Sequence, residues 1–220
     1  MIPEKEKLFR PLLIVACAAL LSCFNPFFPQ TGKPPGSAFS NQRSTPLGVI
    51  QQLINAYQKK DVYVYRDLFS IEQDFRFYVP PSLLSSHLTG TCEQVDTVLC
   101  PFVASKGFTC LNYWTFPEEM RSHTNLFEKA SLISLSCKTV DPNDIRYITS
   151  GGGETLNVEV ILRGGRLTWE GQVQADSMGN SFQDYYEVED IGLQVFYLEK
   201  DPQNATLWVI KKWFDLNGNE

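Results

Sequence analysis

The sequence predicts an α+β domain, with helices first and long strands after, and three observations carry the prediction. Residues 46–57 place apolar side chains at helical spacing, residues 75–79 switch to alternation, and alternating runs follow one another from residue 156 with turn residues between them. With 220 residues, 43% hydrophobic and 13% aromatic, the chain has enough apolar material for one full core.

Residues 44–79 hold the densest run of consistent signals. Thr45 can cap a helix whose first position is Pro46, where a missing N–H costs nothing. Leu47, Ile50, Ile54 and Tyr57 then share a stripe, with Val49 and Leu53 beside it, and Lys59 and Lys60 close the helix at its negative end. Asp61 can cap a second, shorter helix carrying Val62, Tyr65, Leu68 and Phe69. From Asp74 to Val79, Phe75, Phe77 and Val79 alternate with Arg76 and Tyr78, as a strand with one core face requires.

Pro80 and Pro81 end that strand, and residues 82–112 show no sustained period. Asn112–Thr115 is a short extended piece. Thr115-Phe-Pro-Glu118 resembles a capping box, and Phe116, Met120, His123 and Phe127 share one face of the helix it opens. His123, alone on an apolar face, reads as a satisfied core residue. Ile133, Leu135 and Cys137 alternate through a second strand over 130–138. Residues 141–153 read as a loop, and Gly151-Gly152-Gly153 is no phosphate loop, since neither Lys-Ser/Thr nor a helix follows. Leu156–Leu162 and Leu167–Val173 alternate on either side of Arg163-Gly164-Gly165-Arg166 and are expected to form a hairpin. Ile191–Tyr197 and Thr206–Asp215 complete the strands. The last, with Trp208, Ile210, Lys212 and Phe214 on one face and Leu207, Val209 and Trp213 on the other, is expected at the centre of the sheet.

The formal charge of −6 is spread over the chain without a basic cluster, which argues against nucleic acid as a partner. At the amino terminus, Lys5, Lys7 and Arg10 precede the apolar run 11–21, long enough for a signal peptide and short of the roughly 20 residues that span a bilayer. The run ends Leu20-Leu21-Ser22-Cys23, which resembles the lipobox of bacterial lipoproteins. That resemblance implies a signal peptide over 1–22 and a diacylglycerol thioether with amino-terminal acylation on Cys23. Attachment would then be to an envelope membrane, the outer one since Phe24 rather than aspartate follows. Residues 23–43, rich in proline, read as a tether, and 217–220 as a tail.

Cys92, Cys100, Cys110 and Cys137 remain, an even number that in an exported chain points to two disulfides with three possible connectivities. Cys92–Cys100 with Cys110–Cys137 is the expected pairing; four free thiols are the alternative in an envelope that does not oxidise. Spacings without CxxC or clustered histidine argue against a metal site, and no cofactor motif is present.

The order of elements resembles the nuclear transport factor 2-like superfamily, the cystatin-like roll shared with ketosteroid isomerase and scytalone dehydratase. Thr45-Pro46, Ala56-Tyr57, Asp61 to Phe69 and Asp74-Phe75-Arg76-Phe77 carry the likeness, and Trp208-x-Ile210-x-x-Trp213-x-Asp215 resembles the closing strand of bacterial lipoproteins with this domain. The resemblance covers 44–216, with 82–112 as a cysteine-bearing insertion. It implies a cone-shaped α+β roll: a curved antiparallel sheet of five to six strands around the first helix, with two further short helices and a mouth for a small apolar molecule. Tyr78, Tyr113, Trp114, His123 and Trp169 are the pocket candidates. The isomerases oppose a carboxylate base to an acidic donor across a dry pocket. Glu118, Glu119, Glu170 and Asp215, with Tyr78, Tyr113 and Tyr185, offer the residue types, but no arrangement maps onto them and no catalytic residue is assigned.

The expected function is therefore a membrane-anchored, non-enzymatic binding module for a small apolar ligand or a protein, with a homodimer through the open sheet face compatible. The alternative is a small-molecule isomerase or dehydratase, which a buried carboxylate within about 3.5 Å of a tyrosine or histidine inside the cone would favour.

Overall fold

The computed structural model describes residues 42–70, 75–79, 92–149, 153, 155–175, 178–179 and 181–216. The expected signal peptide, Cys23, residues 23–41 of the tether and the tail lie outside them, while Gln42 and Arg43, the end of the expected tether, form a 3-10 turn with Ser44 that belongs to the domain. Helix α1 (Pro46–Lys59) opens as anticipated: the Thr45 hydroxyl accepts the Gly48 N–H at 3.1 Å, and Pro46 takes the first position. It closes at Lys60, in the left-handed region at φ 54°, whose ammonium donates to the carbonyls of Ala130 and Ser131 at 2.9 and 3.1 Å. The buried face of α1 runs through Val49, Ile50, Leu53, Ala56 and Tyr57, while Leu47, placed on the stripe by spacing, is 43% exposed. Each large side chain on that face contributes roughly 1.5–3 kcal/mol by leaving water.

Helix α2 (Val62–Arg66) is capped by Asp61, which accepts the N–H groups of Tyr63 and Val64 at 3.0 Å. After β1 (Arg76–Val79) and β2 (Glu93–Gln94) come α3 (Pro101–Ser105), β3 (Cys110–Thr115) and α4 (Phe116–Lys129). The Glu118 carboxylate reaches back to the Thr115 N–H at 2.7 Å and hydroxyl at 2.8 Å, fixing the start of α4. The remaining strands are β4 (Ala130–Cys137), β5 (Ile145–Thr149), β6 (Thr155–Arg163), β7 (Gly165–Gly171), β8 (Gln174–Ala175), β9 (Ser181–Phe182), β10 (Tyr185–Val188), β11 (Leu193–Asp201) and β12 (Asn204–Asp215).

A seven-stranded sheet runs β2-β3-β1-β12-β11-β6-β5, antiparallel except where β1 meets β12, and a second sheet runs β10-β7-β4. The large sheet is thus wider than the five to six strands anticipated, and β12 is its middle strand, as its two apolar faces require. Helix α1 packs between β4 of the small sheet and β6 and β12 of the large one. The core around it joins Leu53 and Tyr57 to Ile133, Val160, Phe196 and Ile210.

Four expectations are corrected. Leu156–Leu162 and Leu167–Val173 form no hairpin: β6 pairs with β5 and β11, whereas β7 pairs with β4 and β10. Gly164, at φ 79°, swings the chain from one sheet to the other, its N–H bonded to the Gly192 carbonyl at 2.7 Å. Residues 145–149, read as loop, are the edge strand β5. The insertion is not wholly irregular, because its described part holds β2 and α3. Finally, the disulfide joins Cys92 to Cys110, with Cα atoms 5.6 Å apart, leaving Cys100 and Cys137 as free thiols. Pairing of β2 with β3 sets Gln94 opposite Cys110 and so draws Cys92 to that end of β3, while Cys137 lies in the other sheet.

The stretch that this disulfide closes covers the outer face of the large sheet. Cys100, Phe102 and Val103 pack there on Tyr78, Ile161, Val195, Tyr197 and Phe214, a second core distinct from the one around α1. Among the described residues no helix is long and apolar enough to cross a membrane.

Candidate functional site

A cavity of about 220 Å³ lies between α1 and the two sheets. Its walls are mainly aliphatic and aromatic, with Ile54 from α1, Leu135 from β4, Leu162 from β6 and Phe196 and Trp213 from β11 and β12. Five polar residues interrupt them: Tyr57, His123, Cys137, Gln194 and Asp215. Pockets that orient small molecules have this composition, an apolar body with a few placed polar groups.

Tyr57 sits in the last turn of α1, and α4 crosses near it with Glu119 and His123 one turn apart. The Tyr57 phenol oxygen lies 2.5 Å from His123 Nε2. His123 Nδ1 lies 3.1 Å from the Glu119 carboxylate and 3.2 Å from the Glu119 backbone carbonyl. Glu119, fully buried in the first turn of α4, also accepts the Tyr65 hydroxyl from α2 and the Trp114 indole N–H from β3. Five residues from α1, α2, β3 and α4 are thus joined in one chain of hydrogen bonds, and aromatic rings enclose it. Tyr65 stacks on His123 with centroids 4.4 Å apart, and Phe127 meets Tyr57 edge-on at 5.5 Å.

The electrostatics keep both tyrosines of this chain protonated. Burial, and then the nearby Glu119 carboxylate, push the Tyr57 phenol well above its ordinary value, so it stays protonated; the same two causes raise Tyr65. Nδ1 of His123 faces a backbone carbonyl, which can only accept, and must carry the ring proton. In the neutral ring Nε2 is then bare and receives the Tyr57 O–H. On the opposite wall, Gln194 accepts the Trp213 indole N–H at 2.6 Å and donates to the Ile191 carbonyl at 2.9 Å, with Asp215 as its cross-strand neighbour.

Of the residues singled out from the sequence as pocket candidates, the structure brings His123 into the cavity wall. Trp114 stands behind it, holding Glu119 and stacked on Phe77 at 4.5 Å. Tyr78 and Tyr113 face the other side of the large sheet, because alternation along β1 and β3 turns them away from α1. Tyr78 donates to Glu93 at 2.8 Å, and Tyr113 lies under the Arg76 guanidinium at 4.2 Å. Trp169 packs on the core from β7 beside Tyr186, outside the cavity wall. Sequence reasoning passed over Tyr57, which it placed only on the helix stripe, and named Glu119 as one of four candidate carboxylates without assigning it a role; of the other three, Asp215 lines the cavity. Among the described residues no group of histidine, cysteine and carboxylate side chains could hold a metal ion.

No protein-family model matches the chain. No curated protein matches it either. Among solved structures, the chain is similar to a nuclear transport factor 2-like superfamily protein from Salmonella enterica serovar Typhimurium, with 12% identity, 80% of this chain and 91% of that one covered, and a TM-score of 0.44. It is similar to an NTF2-like protein of unknown function from Shewanella oneidensis at 10% identity, covering 76% and 93%, with a TM-score of 0.39. A candidate dehydratase of the NTF2-like family from Streptomyces avermitilis aligns at 11% identity over 76% and 89%, with a TM-score of 0.38. The structural neighbours include NTF2-like proteins, some of them of unknown function. The α+β roll itself is established by this chain's own strand order and by α1 packed inside the sheets.

Proposed function

We propose that the domain binds a small, mainly apolar molecule in the cavity beside α1 without transforming it, and that a lipidated Cys23 carries it on a bacterial envelope membrane. The cavity supports the first part: an apolar chamber of about 220 Å³ whose polar groups converge from α1, α4 and β11–β12. An NMR titration with indole and with naphthalene tests it. Saturable shifts centred on Leu135, Phe196 and Trp213, lost in a Leu162→Phe variant that keeps its fold, are expected; the absence of any saturable shift would count against binding. The lipobox-like Leu20-Leu21-Ser22-Cys23 supports the second part. Mass spectrometry of the mature amino terminus should find an acylated Cys23, and cleavage elsewhere would remove the anchor.

One observation favours a second reading, an acid–base enzyme of the dehydratase type. Glu119, fully buried, lies 3.1 Å from His123, which in turn touches Tyr57 in the cavity wall, so a proton path leads from the chamber to a buried carboxylate. Incubation with a small aryl β-hydroxy ketone, followed by the absorbance of the conjugated ketone formed on loss of water, tests it. Turnover abolished by Tyr57→Phe supports the enzyme; a rate equal to that in buffer supports binding alone.

A further inference from the structure

We propose that the loop closed by Cys92–Cys110 is a proton-controlled flap: α3 lies on the large sheet while Glu159 is protonated, and ionisation of Glu159 lifts α3 and opens Cys100 and Tyr197 to solvent. The device lies on the face of the sheet turned away from the cavity and does not depend on what the cavity binds.

Glu159 stands on the outer face of β6, opposite Arg146 of β5 and Tyr197 of β11, and has no exposure. The Phe102 backbone N–H and the Arg146 guanidinium draw on it, but neither carboxylate oxygen has a hydrogen-bond partner. Arg146 lies instead over the Phe102 ring at 4.8 Å. Among the described residues, the other ionisable groups of this face are committed elsewhere or bring no positive charge. Arg163 is held by Asp144 at 2.8 Å, Lys106 lies over the Phe102 ring at 5.6 Å, and Glu199 is paired with Lys211 at 2.8 Å. Cys100 and Asp96 from the loop, and Tyr197, can only add negative charge. A carboxylate so placed is stable as the acid, whereas its anion has neither water nor donors to stabilise it.

Of the two layers that bury Glu159, the loop is the one that yields. Beneath the carboxylate, β6 is paired on both sides, with β5 and with β11. Above it, α3 is five residues long, begins at Cys100 without a side-chain cap, and rests on the sheet through Phe102 and Val103. The base of the loop is fastened separately: by the disulfide, and by Glu93, which accepts from Tyr78 at 2.8 Å and pairs with Arg76 at 3.2 Å and Lys212 at 3.7 Å. Helix α3 can therefore lift while both ends of the loop stay attached, a local opening rather than unfolding. The anion then meets water, and Arg146, freed from the ring, faces it across the ladder. The sign follows from burial, which raises Glu159 from 4.5 to about 7 in the closed form. The proton's support for closure is complete below about 4.5 and is lost as pH rises towards 7.

Labelling of the full chain with dithiodipyridine, read by peptide mass, tests the proposal, with Cys137 in the small sheet as the reference thiol. Burial raises both thiols above their ordinary 9, Cys100 to about 12, so at neutral and acid pH the ratio of the two labelling rates cancels thiol chemistry. The ratio of Cys100 to Cys137 labelling is expected to rise about tenfold per pH unit between about pH 5 and 7 and then to level off. In Glu159→Gln, which cannot ionise, the ratio should stay flat. Low urea should leave the Cys100 rate nearly unchanged, because lifting α3 exposes little surface. A flat ratio in the wild type, a slope that survives Glu159→Gln, or a Cys100 rate that climbs with urea as steeply as global unfolding does overturns the proposal. If Glu159→Gln does not fold, the wild-type ratio and its urea dependence decide alone.

Discussion

Tyr57 on the first helix and His123 on the fourth meet end to end, phenol oxygen to Nε2 at 2.5 Å, and through that contact the cavity wall is joined to a carboxylate with no exposure at all. The two residues are 66 positions apart, and the meeting depends on α1 lying within the sheets while α4 crosses its last turn.

The first prediction concerns the cost of breaking this chain at different links. Glu119→Ala leaves the Tyr65 hydroxyl and the Trp114 indole N–H without their acceptor, while His123 Nδ1 keeps the Glu119 backbone carbonyl, and at roughly 1–3 kcal/mol for each of the two the loss should be about 2–6 kcal/mol. Tyr57→Phe strands only Nε2 and should cost about 1–3 kcal/mol. Urea denaturation followed by tryptophan fluorescence measures both, and the order of the two variants is the test.

The second prediction concerns Gly48. A Cβ placed there would lie 1.7 Å from the Gln42 carbonyl oxygen, so Gly48→Ala must push away the single 3-10 turn over Gln42–Ser44. Arg43 in that turn donates to Asp201 at 2.7 Å and to the Trp208 carbonyl at 3.3 Å, tying the start of the domain to the β11–β12 end. A loss of about 1–3 kcal/mol is expected although alanine is the better helix former. A variant as stable as the wild type would show that the turn yields without penalty.

The third prediction is a pH dependence. Glu159, fully buried on β6 beneath α3, is pushed by burial from 4.5 up to about 7, against the pull of the Phe102 backbone N–H and the Arg146 guanidinium. The folded state therefore holds this proton more tightly than the unfolded chain. Its contribution is complete below about 4.5 and is lost as pH rises towards 7. Asp144, lowered by its hydrogen bonds from Arg163, acts in the opposite sense and outside this window, losing its contribution as pH falls below its ordinary 3.8. Thermal melts across the window should show Tm falling in the wild type, and Glu159→Gln should flatten that slope.

The fourth prediction is chemical. Peptide mapping without reduction should recover Cys92 linked to Cys110, with the buried Cys100 alkylated only after unfolding or opening and the half-buried Cys137 alkylated more readily. Replacing both bridged cysteines with serine should cost about 3 kcal/mol on the chain-entropy model for a separation of 18 residues.

What could be read from the sequence was what short-range physics determines. The Thr45, Asp61 and Thr115–Glu118 caps need only neighbours within a turn, and the helices they open begin where expected. The alternation of β6, β7, β11 and β12 announced strands, and the double-faced pattern of β12 announced its central place. Partner choice was hidden. A glycine pair between two alternating runs signals a hairpin, yet Gly164 uses its positive φ to leave one sheet for another. Along β12 the ladder shifts between Tyr197 and Leu198, so Lys212 faces Tyr197 while Ile210 faces Leu198. One extra residue, Lys211, therefore exchanges the faces, and Trp213 joins Trp208 and Ile210 in the core around α1 while Phe214 joins the other. The site was less legible than the fold. Glu119 and His123 stand four apart on one helix, a visible pattern, but a carboxylate in a first turn is an ordinary stabilising feature. Its burial depends on Tyr65 and Trp114 arriving from other elements.

The central claim is that an apolar chamber stands open beside α1, and a crystal structure under xenon pressure tests it most directly, because xenon enters dry apolar cavities and avoids packed cores. Xenon is predicted among Ile54, Leu135, Phe196 and Trp213, with the Tyr57–His123 contact undisturbed. Side chains filling that space, with no xenon between α1 and the large sheet, would contradict the account.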